Sequence, residues 1–223
     1  MQKKLDVKKL AMLGMLCALA YVLMVVGRFP IISVPGLVLK YDPKDVIIAL
    51  GGFLFGPLSA AAISLVVSFV EMFTVSETGW IGFAMNMLST CAFVCTAAVI
   101  YKKKPTITRA AAGLAAGALL TTAVMLLWNY FLTPIFVGAP REAVAGMLIP
   151  VFLPFNLIKS GLNAAIAMLI YKPVTAALRK QRLLPPSENT ETAKGKFKIG
   201  VMLLSCLVVI TCVVFILVLR GII

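Results

Sequence analysis

The run LIPVFLPFNLIKSGLNAAIAMLI, residues 148–170, is apolar enough and long enough to cross a lipid bilayer as a helix. It nevertheless carries an amide, Asn156, and a full positive charge, Lys159, one helical turn apart. A lysine in the middle of a membrane costs about 3 kcal/mol or more. We therefore expect other groups, from the protein or from a ligand, to offset that cost.

The whole chain shares this apolar character. Of its 223 residues, 61% are hydrophobic and only 13% are charged, and the mean hydropathy is +1.05. A soluble domain of this length cannot bury so much apolar surface, so the excess must face lipid. The composition predicts an all-α integral membrane protein that crosses the bilayer several times.

Seven apolar stretches predict the helices, roughly at 10–27, 44–55, 57–74, 80–101, 109–133, 148–171 and 197–219. The stretch 44–55 is too short to cross the hydrocarbon core, which needs about 20 helical residues. It ends at the turn-like sequence FGP, where Pro57 can open the next helix. We interpret 44–74 as two helices in a tight hairpin, the first partly surrounded by protein. A single kinked helix is the alternative.

Basic residues cluster in three places, at 3–9, 102–109 and 172–182. The net charge of +13 therefore follows from membrane topology, and binding to nucleic acid is not expected. The positive-inside rule places all three clusters, and the N-terminus with them, in the cytoplasm of a multi-pass protein of the cell membrane. The clusters share one side only if 44–74 crosses twice, which favours the hairpin.

The chain divides into three segments. Residues 1–183 form a membrane domain, 184–196 a polar cytoplasmic linker, and 197–223 an additional C-terminal transmembrane helix. That last helix is almost uniformly apolar, which is typical of an anchor or packing element. No small-residue cleavage pattern follows the first apolar run, so we expect no cleavable signal peptide.

A few polar residues interrupt the apolar runs: Asn86, Asn129, Asn156 and Lys159, with Glu71 near a helix end. Hydrogen bonds between helices, worth about 1 kcal/mol or less, are one explanation for each amide alone. In the predicted topology, however, the three amides all lie in the outer half of the membrane. Lys159 lies one turn deeper than Asn156 on the same helical face. This arrangement predicts a polar pocket that opens outward.

Aromatic residues lie near these amides in the sequence: Trp80, Trp128, Tyr130, Phe131 and Phe155. An interfacial belt of Trp and Tyr is one explanation, particularly for Trp80. Stacking on a flat ligand is the other, for the aromatic residues beside Asn129 and Asn156. An apolar slot with a few polar groups is typical of a small-molecule site.

The residues of catalysis are missing from the sequence. It has no G-x-x-x-x-G-K-[ST] loop for a nucleotide, no paired carboxylates and no nucleophile–base pair. It has no histidine, and its five cysteines form no CxxC pair, so we expect neither a metal site nor a cofactor. The sequence predicts a protein that is not an enzyme and cannot hydrolyse ATP alone.

Four segments resemble, in the same order, those of riboflavin-specific S components, the substrate-capturing subunits of energy-coupling factor (ECF) vitamin transporters. They are LKYDPKDVIIALGGFLFGPLSA (39–60), AMNMLST (84–90), WNYFLTPIF (128–136) and PFNLIKS (154–160). The resemblance covers about residues 5–180. It implies a six-helix bundle with the vitamin held near the outer face, under the loop between helices 1 and 2, and the seventh helix lies beyond this core.

The resemblance implies that Asn129, Asn156 and Lys159 contact the flavin, with Asn86, Leu39 and Lys40 nearby. Tyr130 and Phe155 are the aromatic residues that we expect beside the planar ring. An asparagine amide offers a donor and an acceptor, which match the pyrimidine-like edge of riboflavin. The ribityl hydroxyls then pair with the ammonium of Lys159, so that it is not left without a partner.

The resemblance also implies protein partners, namely a transmembrane coupling subunit and two ATPase subunits. Gly14 and Ala18 on the first helix resemble a small-residue docking face for the coupling subunit. Lys40 stands where a smaller polar residue is expected, which favours an anionic flavin such as FMN. Rival functions for such a chain are binding of a different vitamin on the same scaffold, catalysis on lipid, and a structural role in the membrane.

Overall fold

A computed structural model describes residues 7–34, 37–180 and 195–221. Most of the predicted linker 184–196 and part of the N-terminal basic cluster lie outside these residues. The described chain is all-α except for one β-hairpin. Its elements are α1 (Val7–Gly27), β1 (Phe29–Val34), β2 (Leu37–Tyr41), α2 (Lys44–Phe55), α3 (Pro57–Thr74), α4 (Gly79–Lys103), α5 (Ile107–Val137), α6 (Arg141–Met147), a π-helical turn (Leu148–Phe152), α7 (Leu153–Lys180) and α8 (Gly195–Leu219).

Six described segments are long enough and apolar enough to cross a membrane: Val7–Gly27, Pro57–Thr74, Gly79–Lys103, Ile107–Val137, Arg141–Val174 and Gly200–Leu219. The 12-residue α2 is not among them, and its residues 44–53 are all buried inside the bundle. This confirms that the first arm of the predicted hairpin is surrounded by protein. Helices α1 to α5 and α7 form the expected six-helix bundle, with α8 added outside it.

The junction between α2 and α3 decides between two helices and one kinked helix. Gly56 adopts a φ of +90°, a conformation that favours glycine, between the two helices. A Cβ built on Gly51 lies 2.6 Å from the Cδ1 atom of Ile63. In one continuous helix these two residues are about 18 Å apart along the axis. The chain therefore folds back on itself, and the kinked-helix alternative is wrong.

The segment 28–43, predicted as a loop, contains an antiparallel β-hairpin instead. Phe29 pairs with Tyr41, and the register shifts between Pro30 and Ile32. Proline has no N–H to give to the ladder, so a bulge at this position is expected. Ile31 is buried at the bulge, and with Tyr41 it packs on Phe155, Ile158 and Leu162 of α7. This packing holds the hairpin over one end of the bundle.

The additional helix α8 packs on α7 and reaches the hairpin. A Cβ on Gly161 of α7 lies 3.9 Å from the Sγ atom of Cys212 of α8. Ile216, near the C-terminal end of α8, is buried in the same cluster as Ile31 of β1. Of the two predicted roles, anchor or packing element, the described contacts agree with packing.

Helices α4 and α5 approach each other closely through two glycines. A Cβ on Gly117 lies 2.3 Å from the carbonyl oxygen of Phe93, and one on Gly113 lies 2.8 Å from that of Ala97. No side chain fits at either position without moving the backbone. The pair of glycines fixes the distance between the two helices that carry Asn86 and Asn129.

We expect Gly117→Ala to lower the free energy of unfolding by about 1–3 kcal/mol, because the new methyl group overlaps a backbone carbonyl. Unfolding of the purified protein in detergent measures the effect. Gly14→Ala is the matched control, since its Cβ meets nothing within 4 Å and alanine favours the helix by about 1 kcal/mol. Equal stability of the two variants contradicts the close packing of α4 on α5.

Candidate functional site

A cavity of about 1070 Å³, counting the space at its open mouth, lies between the β-hairpin and helices α4, α5 and α7. The end of α1 and the loop between α3 and α4 complete its rim. Its walls are mixed, with apolar and aromatic side chains beside amides and charges. The lining includes Arg28, Leu39, Lys40, Asp42, Glu77, Asn86, Trp128, Asn129, Phe136, Phe155, Asn156 and Lys159.

Seven of the eight residues predicted for substrate binding line this cavity: Leu39, Lys40, Asn86, Asn129, Phe155, Asn156 and Lys159. Tyr130 is not among the lining residues. It packs on Phe131, and the guanidinium carbon of Arg141 lies 5.8 Å from its ring centre. The lining residues of α5 recur at helical spacing, and Tyr130 falls outside that face; they are Met125, Trp128, Asn129, Leu132, Thr133 and Phe136. Ligand contact by the seven stays a prediction.

The other predicted aromatic residues also divide into those that line the cavity and those that do not. Trp128 lines the cavity, together with Phe136, which the sequence analysis did not single out. Trp80 and Phe131 are not among the lining residues, and the side chain of Trp80 is 67% exposed. Of the five aromatic residues singled out in the sequence, Trp128 and Phe155 line the cavity.

The two buried amides present complementary groups. The Oδ1 atom of Asn129 accepts a hydrogen bond of 2.9 Å from the Thr133 hydroxyl. The Nδ2 atom of Asn156 donates one of 2.7 Å to the carbonyl oxygen of Phe152, in the π-helical turn. These bonds occupy one end of each amide. Asn129 is left with its NH₂ donor and Asn156 with its carbonyl acceptor.

Lys159 is half-buried and lines the same cavity. Within the described ranges, no carboxylate oxygen lies within 4 Å of its ammonium. Asp42 lines the cavity with it, and Asp45 lines a smaller recess with it. The protein itself therefore supplies negative charge near Lys159. The expectation that a ligand completes its hydrogen bonding remains a prediction.

A charge cluster lies beside Lys159 and comprises Arg28, Asp42, Lys44, Asp45 and Glu71. Of these, the sequence singled out Glu71 alone. Lys44 is fully buried and forms ion pairs with Asp42 and Glu71. Arg28 at the end of α1 lies 3.5 Å from Glu71. The sequence signal was three charged residues within four positions, directly before an apolar stretch.

Asp45 and Asn163 tie α2, α4, α7 and the hairpin together. Asp45 accepts hydrogen bonds from Thr90, at 2.7 Å, and from Asn163, at 3.4 Å. Asn163 also donates to the carbonyl oxygen of Asp42 and accepts from the Tyr41 hydroxyl at 2.6 Å. Asn163 was missed too, although it lies four residues after Lys159 and so shares its helical face.

Neighbouring cations stabilise the negative charge of Asp42. Burial by itself raises the pKa of this carboxyl, but the charges of Lys44 and Lys159 and hydrogen bonds from Lys44 outweigh it. The pKa of Asp42 therefore lies below its ordinary value, and the group stays ionised at neutral pH. Its negative charge faces the cavity beside Lys159.

An ion pair crosses the mouth of the cavity. Lys40 of β2 lies 2.8 Å from Glu77 in the loop between α3 and α4. Its hydrogen bond and its charge lower the pKa of Glu77. Because the Glu77 side chain is 78% exposed, water and salt screen this pair. The ion pair between hairpin and loop therefore contributes little to stability.

Comparisons with known proteins agree with this fold. The sequence model of the family described as "ECF transporter, substrate-specific component" matches residues 8–171. "Riboflavin transporter RibU" of Staphylococcus aureus (strain TCH60) is 28% identical over 180 residues, 78% of this chain and 93% of the relative. "Riboflavin transporter FmnP" of Bacillus subtilis (strain 168) is 26% identical over 187 residues, 80% of this chain and 97% of the relative.

A solved structure is similar to this chain as well. It is described as "Structure and mechanism of the S component of a bacterial ECF transporter". The two folds agree with a TM-score of 0.64 at 29% sequence identity, over 77% of this chain and 98% of the other. Helix α8 lies beyond the residues that the family model matches. From Lys8 to Tyr171, the chain belongs to the substrate-specific components of ECF transporters.

Proposed function

We propose that this protein captures riboflavin at the outer face of the cell membrane for ATP-driven uptake by partner subunits. The observation that carries the proposal is the cavity in which Asn129, Asn156 and Lys159 converge. Two relatives whose names describe riboflavin transporters support the choice of ligand.

The free groups of the cavity suit the chemistry of riboflavin. Its pyrimidine-like edge alternates donors and acceptors, which match the free NH₂ of Asn129 and the free carbonyl of Asn156. Trp128 and Phe155 offer apolar walls to the planar ring. The ammonium of Lys159 donates to hydroxyls of the ribityl chain.

Equilibrium titration of the purified chain with riboflavin, followed by fluorescence quenching, tests the proposal. We expect saturable binding, and a purified protein that carries flavin absorbance bands. FMN is titrated in parallel, because Arg28 and Lys40 place two cations at the cavity. Tighter binding of FMN identifies an anionic flavin as the substrate. Absence of binding to either contradicts the proposal and favours another vitamin or a structural role.

The first helix supports an assembly with a transmembrane coupling subunit and two ATPase subunits. Its buried face carries Met12, Leu16, Ala20 and Met24, whereas Gly14 and Ala18 are exposed. Nothing lies within 4 Å of a Cβ built on Gly14. Small residues one turn apart let a partner helix approach closely. With the N-terminus in the cytoplasm, as the basic clusters indicate, the cavity mouth faces outward.

We expect Gly14→Leu to leave riboflavin affinity unchanged but to impair co-purification with the coupling subunit and uptake in cells. A bulky side chain on the exposed stripe blocks close helix packing, while Gly14 is not among the residues that line the cavity. Ala123→Leu is the control, since Ala123 is exposed on α5. Normal assembly of Gly14→Leu contradicts docking through this stripe, and lost binding places α1 in the site.

A further inference from the structure

We propose that Asp45 is the buried counter-ion of Lys159, a positioning residue that supports the ammonium charge without occupying its donors. The inference rests on the proposed function insofar as those donors serve a flavin. It assigns a role to a carboxylate that does not itself line the cavity.

The charges of the buried cluster balance only when Lys159 is counted. Arg28 and Lys44 carry two positive charges, and their ion pairs are with Asp42 and Glu71. Among the described residues, Asp45 is then the one carboxylate of the cluster without an ion pair within 4 Å. In the same part of the chain, Lys159 likewise has no ion pair within that distance. One excess negative charge therefore lies beside one excess positive charge.

Both groups border the same small recess. Its walls are formed by Asp45, Lys159, Asn156 and Ser160, with three further residues of α4 and α5. Lys159 lines both the recess and the main cavity, whereas Asp45 lines only the recess. The Lys159 side chain thus borders both the recess that holds Asp45 and the cavity proposed for the ligand.

Neutral donors hold Asp45 away from direct contact. Thr90 donates to one carboxylate oxygen and Asn163 to the other, and Tyr41 in turn holds the Asn163 amide. Burial and the charge of Asp42 raise the pKa of Asp45 above its ordinary value, whereas the charges of Lys159 and Lys44 and the hydrogen bond from Thr90 favour its ionised form. Because its oxygens point at Thr90 and Asn163, Asp45 offsets the charge of Lys159 at a distance. A direct salt bridge instead consumes N–H groups that a ligand needs.

A double-mutant cycle on riboflavin affinity tests the inference. We expect Asp45→Asn to weaken binding about tenfold in the wild-type background. In the Lys159→Met background the same change should alter affinity about twofold or less, because Asp45 acts through Lys159. Equal losses in both backgrounds, or no loss in either, overturn the inference. Glu71→Gln is the matched control, because this carboxylate pairs with Lys44. Its removal should weaken binding by the same factor in both backgrounds.

Two further measurements test the counter-ion role if a variant does not fold or if the protein binds no flavin. Thr90→Val keeps the charge of Asp45 but removes one of its hydrogen bonds, so a smaller loss confined to the wild-type background is expected. Thermal unfolding without ligand gives an independent readout. The double variant Asp45→Asn, Lys159→Met should melt above either single variant, because no buried charge is left uncompensated. A double variant that melts below both singles overturns the counter-ion role, even if no flavin binds.

Discussion

Lys159→Ala is expected to weaken riboflavin binding about ten- to hundredfold. The ammonium lines the cavity, and within the described residues it has no ion pair that competes for its donors. A hydrogen bond to a charged group contributes about 1.5–3 kcal/mol, and each 1.4 kcal/mol is about a tenfold change in affinity. Fluorescence-quenching titration of the purified variant gives the dissociation constant.

The control for this experiment is Lys103→Ala, which removes the same charge at the exposed end of α4. Its affinity should equal that of the wild type. Thermal unfolding of both variants without ligand shows whether the site is still folded. A folded Lys159→Ala protein that binds riboflavin as tightly as the wild type contradicts the role assigned to the ammonium.

Lys44→Met is expected to lower the free energy of unfolding by about 3–5 kcal/mol. Lys44 is fully buried and ion-paired with Asp42 and Glu71, which are themselves buried. Removing the cation that both carboxylates share leaves buried negative charge that Arg28, beside Glu71, and Lys159, near Asp42, compensate only in part. Unfolding in mixed detergent micelles, followed by circular dichroism, measures the loss.

Restoring the charge balance tests whether uncompensated charge is the cause of the stability that Lys44→Met loses. In the double variant Lys44→Met, Glu71→Gln, one cation and one carboxylate are removed together. We expect it to recover part of the stability that Lys44→Met loses. A Lys44→Met protein within about 1 kcal/mol of the wild type, or a double variant that recovers nothing, contradicts the interpretation that charge compensation holds this cluster together.

Much of the fold was predictable because lipid imposes simple rules on a chain. Apolar length marked the helices, and the short stretch 44–55 before Pro57 indicated a hairpin, which the contact of Gly51 with Ile63 confirms. The amides and Lys159 stood out because polar groups are costly in hydrocarbon. Their helical positions placed them in one layer, and the cavity lies there.

The β-hairpin was not predictable in the same way. Residues 28–43 carry no regular alternation, and Pro30 and Pro43 indicate a loop. Its strands form because Ile31 and Tyr41 pack on α7, a contact between distant parts of the sequence. Tyr130 is adjacent to Asn129 in the sequence but is not among the residues that line the cavity, because it lies outside the lining face of α5.

The sequence alone determines the membrane class, the helices and the polar residues within apolar segments. Each of these depends on local apolarity and spacing. The pairing of charges depends on tertiary structure. Lys44 and Glu71 are 27 residues apart, and Asp45 and Asn163 are 118 apart. Only folding brings such groups together, and only their mutual distances decide which charges pair and which ammonium keeps its donors for a ligand.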